Sequence, residues 1–313
     1  KAKGALIGIK QLLDPFSVEP LKKDFFKSYK EHYEKFWRYI ANDEFGYRAI
    51  LLDTSKDEPD KQEKPIRDFA KKLLGRIVFL HFLQKKGWMA CPANTKKWEG
   101  GEKQFMQLLF EKFEDKKQFH SHCLTKLFFN TLNTKRKNDV FEIKGLNGFL
   151  NGSRVPYLNG GLFDADKPKE ILSVDFPVKY FAELFEFFAQ YNFTIDENSP
   201  DDHEVGIDPE MLGHIFENLL EENREKGAFY TPKEVVQYMC KESTIQYLKN
   251  HFQVEADVEW FIRNHSVSSY FSVRDNAIAL DQKLNEVKIC DPAIGSGAFP
   301  IGILHELFEA KKF

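Results

Sequence analysis

The chain has 313 residues, enough for two domains that each bury a core of their own. Its residues are 42% hydrophobic and 30% charged, and 31 are phenylalanine, which is typical of a globular protein with much to pack. No apolar run approaches the ~20 residues of a transmembrane helix, and no secretion signal opens the sequence, so we expect a cytoplasmic protein. The sequence begins at Lys1 without a methionine, which suggests that further residues precede it.

The cysteines and histidines do not predict a metal site. Cys91, Cys123, Cys240 and Cys290 lie far apart and form no CxxC pair, so neither a disulfide framework nor a zinc site is expected. The run His120–Cys123 (His-Ser-His-Cys) is similar to a ligand cluster, but no second half with metal-ligand spacing exists elsewhere in the chain. An ordinary helix segment is therefore the preferred interpretation.

The net charge of −3 conceals a marked asymmetry along the chain. Residues 61–150 contain 19 Lys and Arg against 9 Asp and Glu, whereas residues 151–313 contain 15 against 28. The basic stretch could face a phosphate backbone, although lysines that solvate amphipathic helices would produce the same count.

The first two hundred residues are predicted to be helical. Apolar residues recur there at helical spacing, with charged loops and a glycine-rich stretch between the helices. The predicted helices span 20–40, 67–86, two parts of 101–131 and 177–190, with loops at 53–66 and 145–163. Residues 191–208 are acidic and irregular. We therefore predict a helical domain over 1–200 and a second domain over 201–313.

The second domain opens with two predicted helices. Asp208-Pro209 supplies an N-cap and an N1 proline for a helix that Gly227 ends. Thr231–Glu234 is a capping box with proline at N1, and it begins a helix that runs to about Leu248. Further along, Tyr270–Val273 and Ala277–Leu280 are predicted to pair as a short hairpin.

A short apolar strand, Val287–Cys290, runs directly into a glycine-rich loop, Asp291–Phe299, which a helix over 298–310 follows. A strand, a glycine turn and a helix form the first unit of a doubly wound sheet, where ligands bind at the carboxyl ends of strands. The predicted fold is therefore mostly α, with a helical domain followed by the first βα unit of a doubly wound α/β (Rossmann-like) domain.

The residues of this loop favour one kind of ligand. Gly295 and Gly297 let the backbone turn sharply and approach a ligand closely. Asp291 at the strand end would repel a pyrophosphate but attract an ammonium group, and Pro300 occupies the third glycine position of the dinucleotide-binding pattern. The charges thus favour S-adenosylmethionine over NAD.

Two motifs resemble those of N6-adenine DNA methyltransferases. Asp291–Phe299 is similar to D-P-A-C-G-S-G-A-F, with Ile294 in place of the frequent cysteine, and Gly227–Pro232 resembles the G-x-[FY]-[FY]-T-P segment that precedes it. The resemblance implies S-adenosylmethionine as cofactor. The contacts that it implies are Ala228, Phe229, Tyr230, Thr231, Pro232, Asp291, Pro292, Ala293, Gly295, Ser296, Gly297, Ala298 and Phe299.

Earlier blocks resemble type IIG (Eco57I-like) restriction-modification enzymes, which fuse a nuclease, a helical connector, a methyltransferase and a target-recognition part. The blocks are Leu73–Arg76, Phe79–Trp88, Tyr157–Phe163 and Asp208–Glu217. The resemblance implies that 1–200 is a helical connector facing double-stranded DNA and that 201–313 is the start of the methyltransferase domain. Within the connector, Thr134–Lys137 is the preferred phosphate contact, although a solvated loop explains this cluster equally well.

The catalytic tetrapeptide of the family, [DNS]-P-P-[YF], does not occur in these 313 residues, so no catalytic residue is assigned. The implied parent methylates adenine N6 in a restriction-modification system, and this piece alone is expected to be inactive. Glu142-Ile143-Lys144, with Asp139 or Asp115 upstream, has the form of a nuclease triplet, but such triplets are common by chance.

Three alternative functions remain open. One is the modification subunit of a type I restriction system, which shares both cofactor motifs. A second is a methyltransferase-like scaffold that binds DNA or acts in phage defence without methylating. The third is an NAD-binding oxidoreductase, which Asp291 and Pro300 oppose.

Overall fold

The structure is a computed structural model that describes residues 18–42, 46–158, 161–164, 172–193, 206–207, 231, 233–252, 255–265, 276–292, 294 and 297–312. The chain divides into two compact units, Lys1–Glu221 (the N-terminal unit) and Glu222–Phe313 (the C-terminal unit). This division falls later in the chain than the predicted domain boundary. The assignment of a connector and a methyltransferase part to the two sides stays a prediction.

The regular elements in the described part of the N-terminal unit are mostly helices, as the spacing of its apolar residues predicts. Its helices are α1 (Val18–Ala41), α2 (Tyr47–Leu51), α3 (Pro59–Lys85), α4 (Phe105–Lys112) and α5 (Val178–Ala189). Short 3-10 and π-helical turns occupy Lys116–Gln118, Phe119–Leu124, Lys126–Leu132, Lys137–Asp139 and Gly161–Phe163. Two short parallel strands, β1 (Asn192–Phe193) and β2 (Gly206–Ile207), pair with each other.

Aromatic rings form the centre of this unit. Phe25 and Phe36 of α1 are fully buried, and their ring centroids lie 5.1 Å from Phe187 and 5.3 Å from Phe181 of α5. Each such ring contributes about 1.5–3 kcal/mol through burial, and tilted or edge-on pairs add to that. The abundance of phenylalanine in the sequence is thus explained by core packing.

Helix α3 begins earlier than predicted, so the predicted loop over 53–66 is wrong from Pro59 onward. Pro59 stands in the first turn, where its missing N–H costs nothing. Ion pairs one turn apart then support the charged segment, as between Lys64 and Asp68 at 2.9 Å. Pro65 lies inside the helix, within its first two turns. Charge pairing along the chain therefore extends a helix that apolar spacing alone does not predict.

A buried arginine joins two of the blocks that resemble type IIG enzymes. Arg76 of α3 is 2% exposed, and its guanidinium donates to the carbonyl oxygens of Leu162 at 2.7 Å and Asp164 at 2.8 Å. The same guanidinium lies over the rings of Phe128 and Phe129, 5.5 and 5.0 Å from their centroids. These contacts attach the 161–164 turn to α3 and to the preceding π-helical segment.

The glycine-rich stretch from 145 is a set of turns, as predicted, and most of its apolar residues face the core. Leu146 and Leu150 are buried, whereas Phe149 is 61% exposed. Gly145, Gly148 and Gly152 all have positive φ, so the backbone reverses direction repeatedly here. The turns rotate Phe149 away from the side on which its neighbours pack.

The described part of the C-terminal unit is also helical. Its helices are α6 (Lys233–Lys249), α7 (Glu255–Asn264), α8 (Ala277–Glu286) and α9 (Ala298–Ala310). Its own core consists of Ile245, Leu248, Val258, Phe261, Ile262, Leu280, Leu284 and Ala310. The bounds of α6 and α9 agree with the sequence prediction.

The predicted hairpin in this unit is wrong. Ala277–Leu280 belongs to α8, where Leu280 and Leu284 are buried one turn apart. The exposed face of α8 carries polar pairs at the same spacing, such as Gln282 with Glu286 at 2.9 Å. The other half of the hairpin, Tyr270–Val273, lies outside the described residues.

The predicted strand Val287–Cys290 pairs with no described residue. It is an unpaired segment between α8 and the glycine-rich loop, and Ile289 is 52% exposed. The described residues are thus mostly α, and the doubly wound unit stays a prediction.

Candidate functional site

The candidate site lies in the C-terminal unit, where two helices that follow the two cofactor motifs pack closely. A Cβ on Gly302 of α9 would lie 2.6 Å from Cγ1 of Val236 and 3.1 Å from Sγ of Cys240, both on α6. Only a glycine permits this approach without displacing α6. Each motif ends about one helical turn before the contact of Gly302 with Val236. The sequence prediction missed Gly302, although a glycine within a helical apolar run is the expected signal for such a contact.

The glycine-rich loop turns into α9 at Gly297. This residue has φ of 84°, a left-handed conformation that favours glycine, and its N–H donates to the carbonyl oxygen of Ile294 at 2.7 Å. Its own carbonyl oxygen accepts from the N–H of Ile301 at 3.0 Å, which closes the first helical turn. Pro300 in that turn has no N–H. The start of α9 therefore offers fewer donors to an anion than an ordinary helix start does.

Six of the thirteen predicted cofactor contacts belong to the described residues. Asp291 is half-buried at the start of the loop, and Thr231 lies two residues before α6. The other four are Pro292, Gly297, Ala298 and Phe299. The remaining contacts, Ala228, Phe229, Tyr230, Pro232, Ala293, Gly295 and Ser296, lie outside the described residues. The assignment as a cofactor site thus stays a prediction.

Polar contacts between helices stabilise the packing of α9 and α6 and attach α7 to both. His265 Nε2, after α7, lies 2.8 Å from Oε1 of the buried Glu306 on α9. Arg263 on α7 pairs with Glu242 of α6 at 2.6 Å and with Glu259 at 3.0 Å, and these bonds raise the pKa of the guanidinium above its usual value. Helices α6, α7 and α9 are therefore tied together.

The basic stretch 61–150 places its arginines and its lysines differently. Its three arginines, Arg67, Arg76 and Arg136, turn toward the protein. Arg136 donates to the carbonyl oxygens of Thr131, Val140 and Val155, and burial lowers its pKa. Arg136 is thus a structural residue and is removed from the predicted phosphate contact. The exposed cations of this stretch are lysines, among them Lys126, Lys135 and Lys137.

His120 and Cys123 of the His-Ser-His-Cys run have ordinary core surroundings. Nδ1 of His120 contacts the carbonyl oxygen of Val174, and its ring packs against Phe69 and Phe176. Burial raises the pKa of Cys123 well above its usual value, so that thiol is an apolar core group. Within the described ranges, no group of three His, Cys, Asp or Glu side chains could hold a metal ion, and this includes the Glu142-Ile143-Lys144 triplet.

No helix of the described part combines the length and the hydropathy that crossing a membrane requires.

Comparison with known proteins gives one distant relative. Over 283 residues, which cover 85% of its length, this chain is 28% identical to a Methanocaldococcus jannaschii protein provisionally named a type II restriction enzyme and methyltransferase. The chain spans only 23% of the length of that relative. No family model and no solved structure matches the chain.

Proposed function

We propose that this chain is the helical connector and the start of the methyltransferase domain of a site-specific DNA methyltransferase that transfers a methyl group from S-adenosylmethionine to adenine N6. The observation that carries the proposal is the close packing of the two helices that follow the motifs. The Thr231 segment and the Asp291–Phe299 loop each lead into a helix, and those helices are locked together through Gly302. Cofactor and DNA contacts of such a parent would belong to different units of this chain.

The chemistry of the loop supports a cationic, non-phosphate ligand. The carboxylate of Asp291 supplies negative charge at the loop start, where the ammonium of a methionine moiety can be held. Pro300 withdraws one of the donors that a pyrophosphate needs at a helix start. Both features oppose the NAD-binding alternative.

The outer face of α9 supports a doubly wound domain around the loop. Ile301, Leu304 and Phe308 occupy one face of the helix and are 57%, 54% and 66% exposed. A helix that is apolar on both sides is the kind that a sheet covers in α/β folds. The unpaired segment 287–290 precedes this face and is the strand that the proposal requires.

The name of the relative favours a fused enzyme over a separate modification subunit. That name combines restriction and methylation in one polypeptide, as type IIG enzymes do. In the proposed parent, the catalytic tetrapeptide lies outside these 313 residues. A methyltransferase-like scaffold differs from this proposal in lacking that tetrapeptide, so the longer reading frame discriminates between them.

Replacing Asp291 tests the cofactor site. In the longer polypeptide we expect Asp291→Asn to weaken S-adenosylmethionine binding about 10- to 100-fold, because a charge-assisted hydrogen bond contributes about 1.5–3 kcal/mol. Isothermal titration calorimetry measures the affinity. Asp281→Asn on α8 is the matched control, since its carboxylate is exposed and pairs with Lys311. Unchanged affinity in Asp291→Asn would refute the site assignment.

A further inference from the structure

A buried carboxylate of α9 pairs with the histidine that ends α7. Nε2 of His265 lies 2.8 Å from Oε1 of Glu306, and the Glu306 side chain is 7% exposed. Among the buried residues that the structure describes in the C-terminal unit, Glu306 is the only one with a charged side chain. A buried carboxylate is costly unless a partner compensates its charge, and the imidazole of His265 is the partner that the described contacts supply.

The backbone of His265 shows that this contact is kept at a cost. His265 follows the last residue of α7 and has φ of 43°, a left-handed conformation. Glycine is the usual residue at such a helix end, and any other residue keeps this conformation only where its surroundings hold it. The contact of the His265 ring with Glu306 offsets this strain and connects the end of α7 to α9.

Glu306 lies on the face of α9 that packs on α6. Gly302, one turn earlier on the same face, makes the close contact with Val236 and Cys240. The loop Asp291–Phe299 leads into α9 about one turn before Gly302. Because the loop and Glu306 lie on opposite sides of the Gly302 contact, a shift of α9 at Glu306 moves the end of the loop as well.

The other charges around His265 have counter-charges of their own. They are Glu309, His305 and Lys312 on or just after α9, Glu242 on α6, and Glu259 and Arg263 on α7. Lys312 pairs with Glu309, which lies close enough to His265 for their charges to interact. Arg263 pairs with both Glu242 and Glu259. Compensation of the Glu306 charge therefore depends on His265.

We propose that the pair of His265 and Glu306 positions α9 for cofactor binding, so that the affinity for S-adenosylmethionine depends on the charge of His265. The two residues act through α9 and do not touch the ligand. Imidazole groups change charge between about pH 5 and pH 8. Protonated His265 compensates the buried carboxylate, whereas neutral His265 leaves it uncompensated, so the affinity falls as the pH rises. The inference rests on the proposed function in taking S-adenosylmethionine as the ligand of the loop.

Titration calorimetry of the longer polypeptide tests this coupling. Two buffers of different ionisation enthalpy give both the affinity and the number of protons taken up on binding. The ammonium group of the ligand titrates too, so wild type is compared with His265→Gln. Between about pH 6 and pH 8 we expect the affinity of wild type to fall roughly 5-fold more than that of His265→Gln. Wild type should also take up more protons, because the coupling is reciprocal.

Two further variants separate the pair from other histidines. Glu306→Gln should lose the same part of the pH dependence as His265→Gln, since a neutral amide does not depend on the imidazole charge. His305→Gln is the matched control, because it removes an exposed imidazole from α9 and should retain wild-type behaviour. Equal pH dependence and equal proton uptake in wild type and His265→Gln would overturn the proposal.

Thermal unfolding of the 313-residue chain separates this inference from the proposed function. Without ligand, the melting temperature of the C-terminal unit should fall more between about pH 6 and pH 8 in wild type than in His265→Gln. If S-adenosylmethionine affinity depends on Asp291 but not on the charge of His265, only this inference is overturned. If the affinity does not depend on Asp291 while the difference in melting temperature remains, the cofactor site is contradicted and the charged pair is supported.

Discussion

His81 is a buried histidine whose surroundings favour the neutral imidazole. It is 5% exposed, its ring stacks on Phe193 at 5.0 Å, and Nδ1 lies 3.0 Å from Nε2 of Gln84. Because that amide nitrogen is a donor, Nδ1 accepts and Nε2 carries the proton. Nε2 has no hydrogen-bond partner among the described residues. Burial lowers the pKa of His81 from 6.5 to about 3.

Acid should therefore destabilise the N-terminal unit through His81. Between pH 6.5 and 3 the unfolded chain binds a proton that the folded chain rejects, so stability is lost as the pH falls below about 6.5. At pH 5 the loss from this group is about 2 kcal/mol. Chemical denaturation at pH 7 and pH 5 measures how much the free energy of unfolding falls between the two pH values. That fall should be smaller in His81→Gln than in wild type. His122→Gln, at an exposed position, should retain the wild-type difference, and identical behaviour of both variants would exclude His81 as the cause.

Residue types predict which positions are apolar or charged, but they do not predict the direction in which each side chain points. Arg76 and Arg136 count as surface charge in the sequence, yet carbonyl oxygens bind both guanidinium groups inside the unit. Phe149 matches the apolar pattern of its neighbours, but three glycines with positive φ rotate it outward. Local composition predicts the turn itself. The direction of each side chain depends on contacts far along the chain, which spacing does not encode.

At the scale of elements, the packing of α9 on α6 depends on Gly302. Gly302→Val should place methyl groups where Val236 and Cys240 already lie, and such overpacking costs typically 1–3 kcal/mol. We expect a lower melting temperature of the C-terminal unit and weaker S-adenosylmethionine binding, because the start of α9 would shift. Differential scanning calorimetry and titration calorimetry measure the two effects.

Ile301→Val is the control for that substitution, since it changes an exposed neighbour on the same helix. An unaltered melting temperature in Gly302→Val would show that the two helices separate easily.

The extents of α6 and α9 were predictable because caps, apolar spacing and helix formers agree there. Their contact and the exposed apolar face of α9 were not, since one sequence does not show which helix side meets a neighbour.

At the scale of the whole molecule, the basic stretch 61–150 lies in the N-terminal unit, and lysines carry its positive charge on the surface. The sequence predicts the basic stretch 61–150, but its arginines turn inward, so the surface available to phosphate is less basic than the count suggests. If lysines of this stretch contact duplex DNA, each contact steepens the dependence of affinity on salt.

We expect the double variant Lys126→Gln/Lys137→Gln to bind duplex DNA more weakly and to reduce the slope of log affinity against log salt by about 2, because each phosphate contact contributes about 0.9. Lys288→Gln/Lys312→Gln removes the same charge from the C-terminal unit. All four of these lysines are exposed. Anisotropy titrations at several salt concentrations give the slopes. A general effect of net charge would reduce the slopes of both double variants by the same amount. A specific contact with the connector reduces only the slope of Lys126→Gln/Lys137→Gln. Equal reductions would refute the DNA-facing assignment of the N-terminal unit.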